Sequence, residues 1–239
     1  MKTPEAVEGF IQTLNKMGFM TERPDSTSLE FIDFACTSNE FVLEVGAAYG
    51  VTTLQALQRG CHVVANDIDE RHLSALYHSA TAEERMRLTL HCKRIPQEFD
   101  FPEHSLRAIL ACRVIHFFTP AEVGHFLEKS FASLRPGGKL FIVTETPYVK
   151  TLSEFIPEFE KRKSQNDRWP GMLDVASLDE KLLEFLPNKM LLFDVETLSS
   201  EIKRAGFKVE KCHFFSRPEF PEFLRYDGRE SVACVAIKS

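Results

Sequence analysis

The sequence predicts an α/β fold: a doubly wound, mostly parallel sheet with a C-terminal antiparallel hairpin and an inserted helical cap. Short apolar runs of strand length alternate with segments of helical spacing from residue 41 to residue 144. This alternation is typical of parallel strands joined by right-handed helical crossovers. The last two apolar runs, at 207–215 and 231–237, have no helix between them, so they are predicted to pair as an antiparallel hairpin.

Two helices are predicted before the sheet. Over residues 4–18 apolar side chains recur every three or four positions, which predicts an amphipathic helix that ends at Gly18. A second, short helix is predicted over residues 29–36. The apolar positions of the first pattern are Val7, Phe10, Ile11, Leu14 and Met17.

The central part of the chain repeats a unit of strand, turn and helix. Glycines follow the first strand at Gly46 and the first helix at Gly60, where each permits a sharp change of direction. The paired Gly137 and Gly138 provide the turn before the fifth strand. The strands are predicted at 41–45, 61–65, 87–92, 106–111 and 139–144, and the helices at 52–59, 70–79 and 120–133.

Residues 147–194 interrupt this alternation of strands and helices. They contain four prolines, a charged stretch and the only tryptophan of the chain, Trp169, and their helical spacing at 178–186 predicts a helical cap inserted into the fold. A helix at 196–205 then precedes the hairpin. We expect one domain, 1–239, made of N-terminal helices (1–38), a central core (39–146), the cap (147–194) and the last helix with the terminal hairpin (195–239).

Composition narrows the class of protein. The chain has 239 residues, 44% of them apolar, and 29 basic against 35 acidic side chains give a formal charge of −6. This balance argues against a nucleic-acid-binding surface as the main interaction. No apolar run approaches the roughly 20 residues that a membrane-spanning helix needs, and no signal-peptide pattern follows Met1, so we expect a cytoplasmic protein without a membrane contact.

The dispersed cysteines and histidines form no recognised metal or catalytic motif. The six cysteines contain no CxxC pair, and the sequence lacks HExxH, GxSxG and GxxxxGK[ST]. We therefore expect no metal site, and the chemistry is expected in the strand-end turns.

The first strand ends in Glu44-Val45-Gly46-Ala47-Ala48-Tyr49-Gly50. Only Gly46 matches the three glycines of a dinucleotide-binding fingerprint, which weakens a nicotinamide interpretation. Glu44, two positions before that glycine, is suited to accept hydrogen bonds from a cationic group. Asp67 ends the second strand, where a carboxylate can accept the hydroxyls of a ribose. The pattern indicates a nucleoside with a positively charged tail.

With these motifs, residues 41–146 resemble the class I S-adenosylmethionine-dependent methyltransferases, whose sheet is Rossmann-like. The family motif acidic-x-Gly-x-Gly-x-Gly matches at Glu44, Gly46 and Gly50 and departs at Ala48, and the acidic residue of the second strand matches at Asp67. The adenine-binding acidic residue of the family has no counterpart at 92–94. The resemblance implies S-adenosyl-L-methionine as cofactor, held by Glu44, Gly46, Ala48, Tyr49, Gly50, Asp67, Ile68, Arg94, Ile95, Cys112 and Arg113.

Two residues at the predicted rim are candidates for catalysis. His116, just after the fourth strand, could remove a proton from a methyl acceptor or could simply be packed. Tyr148, after the fifth strand, is the second candidate. The predicted reaction is in-line methyl transfer to a small or medium-sized molecule. Two alternatives stay open: an RNA- or protein-directed methyltransferase that uses the basic part of residues 161–168, and a non-catalytic binding protein with the same fold.

Overall fold

The computed structural model describes residues 4–6, 9–175 and 189–239. The strands are β1 (Phe10–Gln12), β2 (Phe19–Thr21), β3 (Phe41–Val45), β4 (His62–Asn66), β5 (Leu88–His91), β6 (Leu106–Cys112), β7 (Leu134–Glu145), β8 (Met172–Asp174), β9 (Lys189–Leu191), β10 (Lys208–Phe215) and β11 (Ser231–Ile237). The helices are α1 (Ser26–Ala35), α2 (Val51–Gln58), α3 (Glu70–Ser79), α4 (Ala82–Arg85), α5 (Pro120–Ser133), α6 (Ile156–Ser164) and α7 (Val195–Arg204).

Seven strands form the central sheet in the order β10-β11-β7-β6-β3-β4-β5. The five strands β3 to β7 pair in parallel, whereas β11 is antiparallel to both β7 and β10. The predicted mostly parallel sheet and the C-terminal hairpin are therefore confirmed. Because β11 runs in the opposite direction, its beginning lies at the same edge as the ends of the other strands.

Helices cover both faces of the sheet, as the doubly wound prediction requires. Val42 and Leu110 pack with buried side chains of α1 and α2 on one face. Their strand neighbours Leu43 and Ile109 pack with α5 and α7 on the other face. This alternation is the period-two geometry of a strand that is buried on both sides.

The predicted N-terminal helix over 4–18 is wrong. The described residues of this segment form a hairpin in which β1 pairs with β2. Thr13 closes the loop between them by donating both its N–H and its hydroxyl to the Gly18 carbonyl, at 3.0 and 2.9 Å, and Lys16 adopts a left-handed φ of 58°. A spacing of three and four residues also fits an irregular loop that packs on other elements, so tertiary contacts override the helical pattern.

The described residues of the cap are only partly helical. Among them α6 is an α-helix, but β8 and β9 pair as antiparallel strands, which the sequence pattern did not indicate. The predicted helix at 178–186 lies outside the described residues. The predicted helices at 29–36, 52–59, 70–79, 120–133 and 196–205 are confirmed within three residues at each end as α1, α2, α3, α5 and α7. In the described parts of the chain, no helix is long and apolar enough to cross a bilayer.

Candidate functional site

A cavity of about 1220 Å³ lies at the edge of the sheet where the parallel strands end. Its floor includes the turns after β3, β4, β6 and β7, and its walls include the N-terminal hairpin, cap residues and the loop between β10 and β11. Ligand pockets usually measure about 300–1,000 Å³. The cavity is therefore large enough for two ligands side by side.

The turn after β3 is built from left-handed residues. Gly46, Ala48 and Gly50 have φ values of 69°, 44° and 78°, and the Gly50 N–H closes the turn on the Ala47 carbonyl at 2.8 Å. A Cβ on Gly46 would lie 2.3 Å from Cγ2 of Val114, so glycine is required there. Ala48 adopts the left-handed conformation without a glycine, which shows that the departure from the motif does not disrupt the turn.

Glu44 is buried beneath this turn. Its carboxylate accepts a hydrogen bond from the Thr53 hydroxyl on α2, and only 5% of the residue is exposed. Burial raises the pKa of Glu44 to about 7, although the hydrogen bonds from Thr53 and Thr52 oppose the shift. A cationic group in the cavity would favour the ionised carboxylate.

Asp67, at the end of β4, is held by three N–H donors. Oδ2 accepts from the Ala48 N–H at 2.9 Å, and Oδ1 accepts from the Asp69 N–H at 2.9 Å. Nδ1 of His72 lies 3.0 Å from the same Oδ1. A carboxylate offers about four acceptor sites, so one site, on Oδ2, is left for a ligand. The carboxylate is therefore pre-oriented by the chain itself.

Three predicted residues lie beside the ends of β4 and β5. Ile68 lines the cavity although 42% of it is exposed. Arg94 and Ile95 also line it, and the Arg94 N–H donates to Oε2 of Glu98 at 2.9 Å. This part of the lining therefore offers two apolar side chains, Ile68 and Ile95, and has no carboxylate at 92–94, as the sequence indicated.

The end of β6 brings Cys112, Arg113 and His116 into the cavity wall. Arg113 has a left-handed φ of 56°, and its Nη1 donates to Oδ2 of Asp25, 3.2 Å away. Its Nε lies 3.7 Å from Oε1 of Glu145 at the end of β7. The Arg113 side chain thus reaches towards β7, away from the Asp67 side of the site.

His116 is 4% exposed, and its Nδ1 has no hydrogen-bond partner in the described part of the chain. Burial lowers its pKa to about 4, a shift that nearby Glu145 opposes and Arg113 reinforces. The imidazole is therefore neutral at physiological pH. A neutral ring can accept or donate one hydrogen bond, but a pKa of about 4 makes it a weak base.

Three predicted residues do not line the cavity. Tyr148 points into the cap, where its hydroxyl donates to Oε1 of Glu160 at 2.5 Å and its ring lies 3.6 Å from the guanidinium of Arg229. The expectation that it faces the rim is therefore wrong, because the contacts of its hydroxyl and ring lie with Glu160 and Arg229, outside the cavity lining. Tyr49 and Gly50 belong to the turn after β3 but do not line the cavity: the Tyr49 hydroxyl bonds to the Gln12 carbonyl, and Gly50 lies against Leu76.

Sequence reasoning missed the other half of the cavity. Arg217 is 2% exposed and lies in the β10–β11 loop, with Nη1 3.6 Å from Oε1 of Glu145. His72 and the N-terminal hairpin were also missed. A histidine two positions into a helix carries no distinctive pattern, and Arg217 is 104 residues from Arg113 in the sequence, so local motifs could not have found them.

The comparisons with known proteins agree with this architecture. Residues 42–138 match the family model of a methyltransferase domain. No curated protein matches the chain.

Solved structures share the fold at low sequence identity. An S-adenosylmethionine-dependent methyltransferase from Mesorhizobium loti superposes with a TM-score of 0.64 at 16% identity, covering 89% of this chain and 98% of that one. One from Methanosarcina mazei gives 0.63 at 13% identity, covering 84% and 93%. The Burkholderia thailandensis 1,6-didemethyltoxoflavin-N1-methyltransferase, solved with that compound and S-adenosylhomocysteine, gives 0.59 at 18% identity, covering 90% and 79%. Residues 42–138 therefore match a methyltransferase domain, and the chain has the fold of the solved S-adenosylmethionine-dependent methyltransferases.

Proposed function

We propose that the protein transfers the methyl group of S-adenosylmethionine to a small or medium-sized molecule bound in the same cavity. The observation that carries this proposal is that two carboxylates, Glu44 and Asp67, lie at the ends of neighbouring strands and line the same cavity. Their chemistry fits the cationic tail and the ribose of the cofactor.

The residues present are suited to the cofactor. The single open acceptor site of Asp67 would take a ribose hydroxyl, and Glu44, together with the turn after β3, would face the methionine end. Ile68, Arg94 and Ile95 would flank the adenine, and the backbone of Cys112 and Arg113 would lie along the tail. The sulfonium of S-adenosylmethionine supplies the electrophilic methyl group.

The contribution of the protein to the reaction is then to align the methyl acceptor with the methyl group of the cofactor. Holding a nucleophile in line with the methyl carbon converts an encounter in solution into a step within one complex, and such positioning can contribute about 7–11 kcal/mol at best. Neutral His116 is placed in the wall to orient an acceptor by one hydrogen bond. Because its pKa is low, we assign it positioning rather than proton removal.

Contacts in the cap favour a small molecule over RNA. The basic residues of α6 are already paired: Lys161 and Arg162 with Glu158, and Lys163 with Asp194. Internal pairing leaves little free positive charge for a phosphate backbone. The size of the cavity and the 1,6-didemethyltoxoflavin bound in the Burkholderia enzyme support the same proposal.

Calorimetric titration with S-adenosylhomocysteine tests the proposal. We expect binding by the wild-type protein and a loss of at least about tenfold in affinity for Asp67→Ala, because a hydrogen bond to a charged group is worth about 1.5–3 kcal/mol. Asp33→Ala is the matched control, since Asp33 is exposed and paired with Arg59 far from the cavity lining. Absence of binding by the wild-type protein would instead favour the non-catalytic alternative.

A further inference from the structure

We propose that His72 is a positioning residue that couples the N-terminal hairpin to the ribose-binding carboxylate Asp67. This inference rests on the proposed function, because it assigns a role within the same cofactor site. His72 lies at the start of α3 and is 1% exposed. It was not a candidate in the sequence, and it contacts both the hairpin and Asp67.

The hydrogen bonds of His72 determine which ring nitrogen carries its proton. The backbone N–H of Leu14 donates to Nε2 at 2.9 Å, so Nε2 must be the unprotonated nitrogen. The proton of the neutral ring is then on Nδ1, which lies 3.0 Å from Oδ1 of Asp67 and donates to it. One ring therefore connects the backbone of the hairpin loop to the carboxylate.

Residue 14 is held on its other side as well. Nη2 of Arg71, the neighbour of His72 on α3, donates to the Leu14 carbonyl at 3.2 Å. The start of α3 thus binds both backbone polar groups of one loop residue. These two hydrogen bonds fix both the position and the orientation of Leu14 relative to α3.

The hairpin also packs against the turn after β3. The Tyr49 hydroxyl donates to the Gln12 carbonyl at 2.9 Å, and the Tyr49 ring meets the His72 ring edge-on at 5.1 Å between centroids. Ile11 packs with Tyr49 and Ala75 in a small buried cluster. Tyr49, which was predicted to contact the cofactor, therefore joins the hairpin to the turn after β3 outside the cavity lining.

This segment covers the cavity in which the cofactor is expected. Residues of both strands and of their loop line it, among them Phe10, Gln12, Asn15, Met17 and Met20. The Asp67 carboxylate and the cover of the cavity consequently share one hydrogen-bonded connection. A ligand that fixes Asp67 should stabilise the hairpin, and a closed hairpin should keep Asp67 in its binding orientation.

Hydrogen exchange at the Leu14 amide, with and without S-adenosylhomocysteine, measures this coupling directly. In the wild-type protein we expect the ligand to slow exchange of that amide by about tenfold or more. Unchanged exchange at Leu14 in a protein that demonstrably binds S-adenosylhomocysteine would overturn the coupling. Such a result would leave the proposed function intact, because binding is measured separately.

Two variants separate the two bonds of His72. His72→Phe removes both, and we expect a loss of at least about tenfold in affinity for S-adenosylhomocysteine together with fast exchange at Leu14. His72→Asn retains a side-chain N–H near the position of Nδ1 but no acceptor at Nε2. We expect it to recover most of the affinity while Leu14 still exchanges fast and no longer responds to the ligand.

His78→Asn is the matched control, because His78 lies on the same helix, is exposed and bonds to the Ser74 carbonyl. Wild-type affinity in His72→Phe would overturn the positioning role. So would equal losses of affinity in His72→Phe and His72→Asn, since a donor to Asp67 would then not matter. Thermal unfolding of each variant shows whether it is folded, and His72→Asn gives the decisive comparison if His72→Phe is not.

Discussion

Replacing Gly46 by alanine tests the geometry of the turn that carries the site. Gly46 has a φ of 69°, and an added Cβ would lie 2.3 Å from Cγ2 of Val114. A left-handed alanine costs about 1–2 kcal/mol, and overpacking costs typically about 1–3 kcal/mol. The lower entropy of the unfolded chain returns about 0.4–1 kcal/mol. We therefore expect Gly46→Ala to lower the free energy of unfolding by about 2–4 kcal/mol.

Gly60→Ala separates the two contributions. Gly60 has a similar φ of 88°, but a Cβ there would meet nothing within 4 Å, so only the backbone cost of about 1 kcal/mol applies. Urea unfolding of both variants gives the difference, which is the contact with Val114. Adding Val114→Ala to Gly46→Ala should recover at least about 1 kcal/mol relative to the sum of the single changes.

The same variants report on the cavity. Gly46 lines it and Gly60 does not, so S-adenosylhomocysteine affinity should fall in Gly46→Ala and stay unchanged in Gly60→Ala. Equal destabilisation of the two variants, or no recovery in the double variant, would refute the close contact between Gly46 and Val114.

Three further outcomes are expected. Because burial raises the pKa of Glu44 to about 7 from 4.5, its contribution to stability is fully present below pH 4.5 and is lost as the pH rises through 7, by about 3 kcal/mol in total. Urea unfolding at pH 5 and pH 8 should show this loss as the difference between the wild type and Glu44→Gln, because the lowered pKa of His116 adds an opposite slope to both proteins. Tyr148→Phe should lower the free energy of unfolding by about 1 kcal/mol through loss of its bond to Glu160, with unchanged S-adenosylhomocysteine affinity by calorimetry. Iodoacetamide followed by mass spectrometry should label exposed Cys92 first and Cys61 slowly, because burial raises the pKa of the Cys61 thiol to about 12.

Each of these expectations has a contrary result. The same pH dependence of stability in the wild type and in Glu44→Gln would show that Glu44 is ionised when the protein is folded. Weaker binding of S-adenosylhomocysteine by Tyr148→Phe would show that Tyr148 contributes to the cofactor site. Labelling of Cys61 at the rate of Cys92 would show that the loop before β4 opens readily.

Most of the sheet could be predicted because its elements are defined locally. A strand buried on both faces is mostly apolar, and Phe41–Val45 and Leu106–Cys112 are such runs, each with one charged residue and each bounded by polar or glycine turns. The strand-end carboxylates were predictable for the same reason. Parallel strands end at one edge, so Glu44 and Asp67 had to be neighbours once β3 and β4 paired.

The N-terminal segment shows where local pattern is insufficient. Its apolar spacing fits a helix, but Leu14 gives its N–H to His72 and Ile11 packs against Tyr49. These partners are 38–58 residues away in the chain. The conformation of the segment is therefore decided by contacts that exist only after the sheet has formed.

The ion-pair partners of the cavity wall could not be predicted from the sequence either. Arg113 meets Asp25, 88 residues before it, and Arg217 meets Glu145, 72 residues before it. The sequence by itself determined the order of the strands and helices of the central sheet, the turn after β3 and the two carboxylates, because each depends on residues next to one another in the chain. The tertiary structure alone decided which side chains enclose the cavity, that Tyr148 turns into the cap, and that His72 supports Asp67, because hydrogen bonds and burial depend on distances in space that the spacing of residues does not encode.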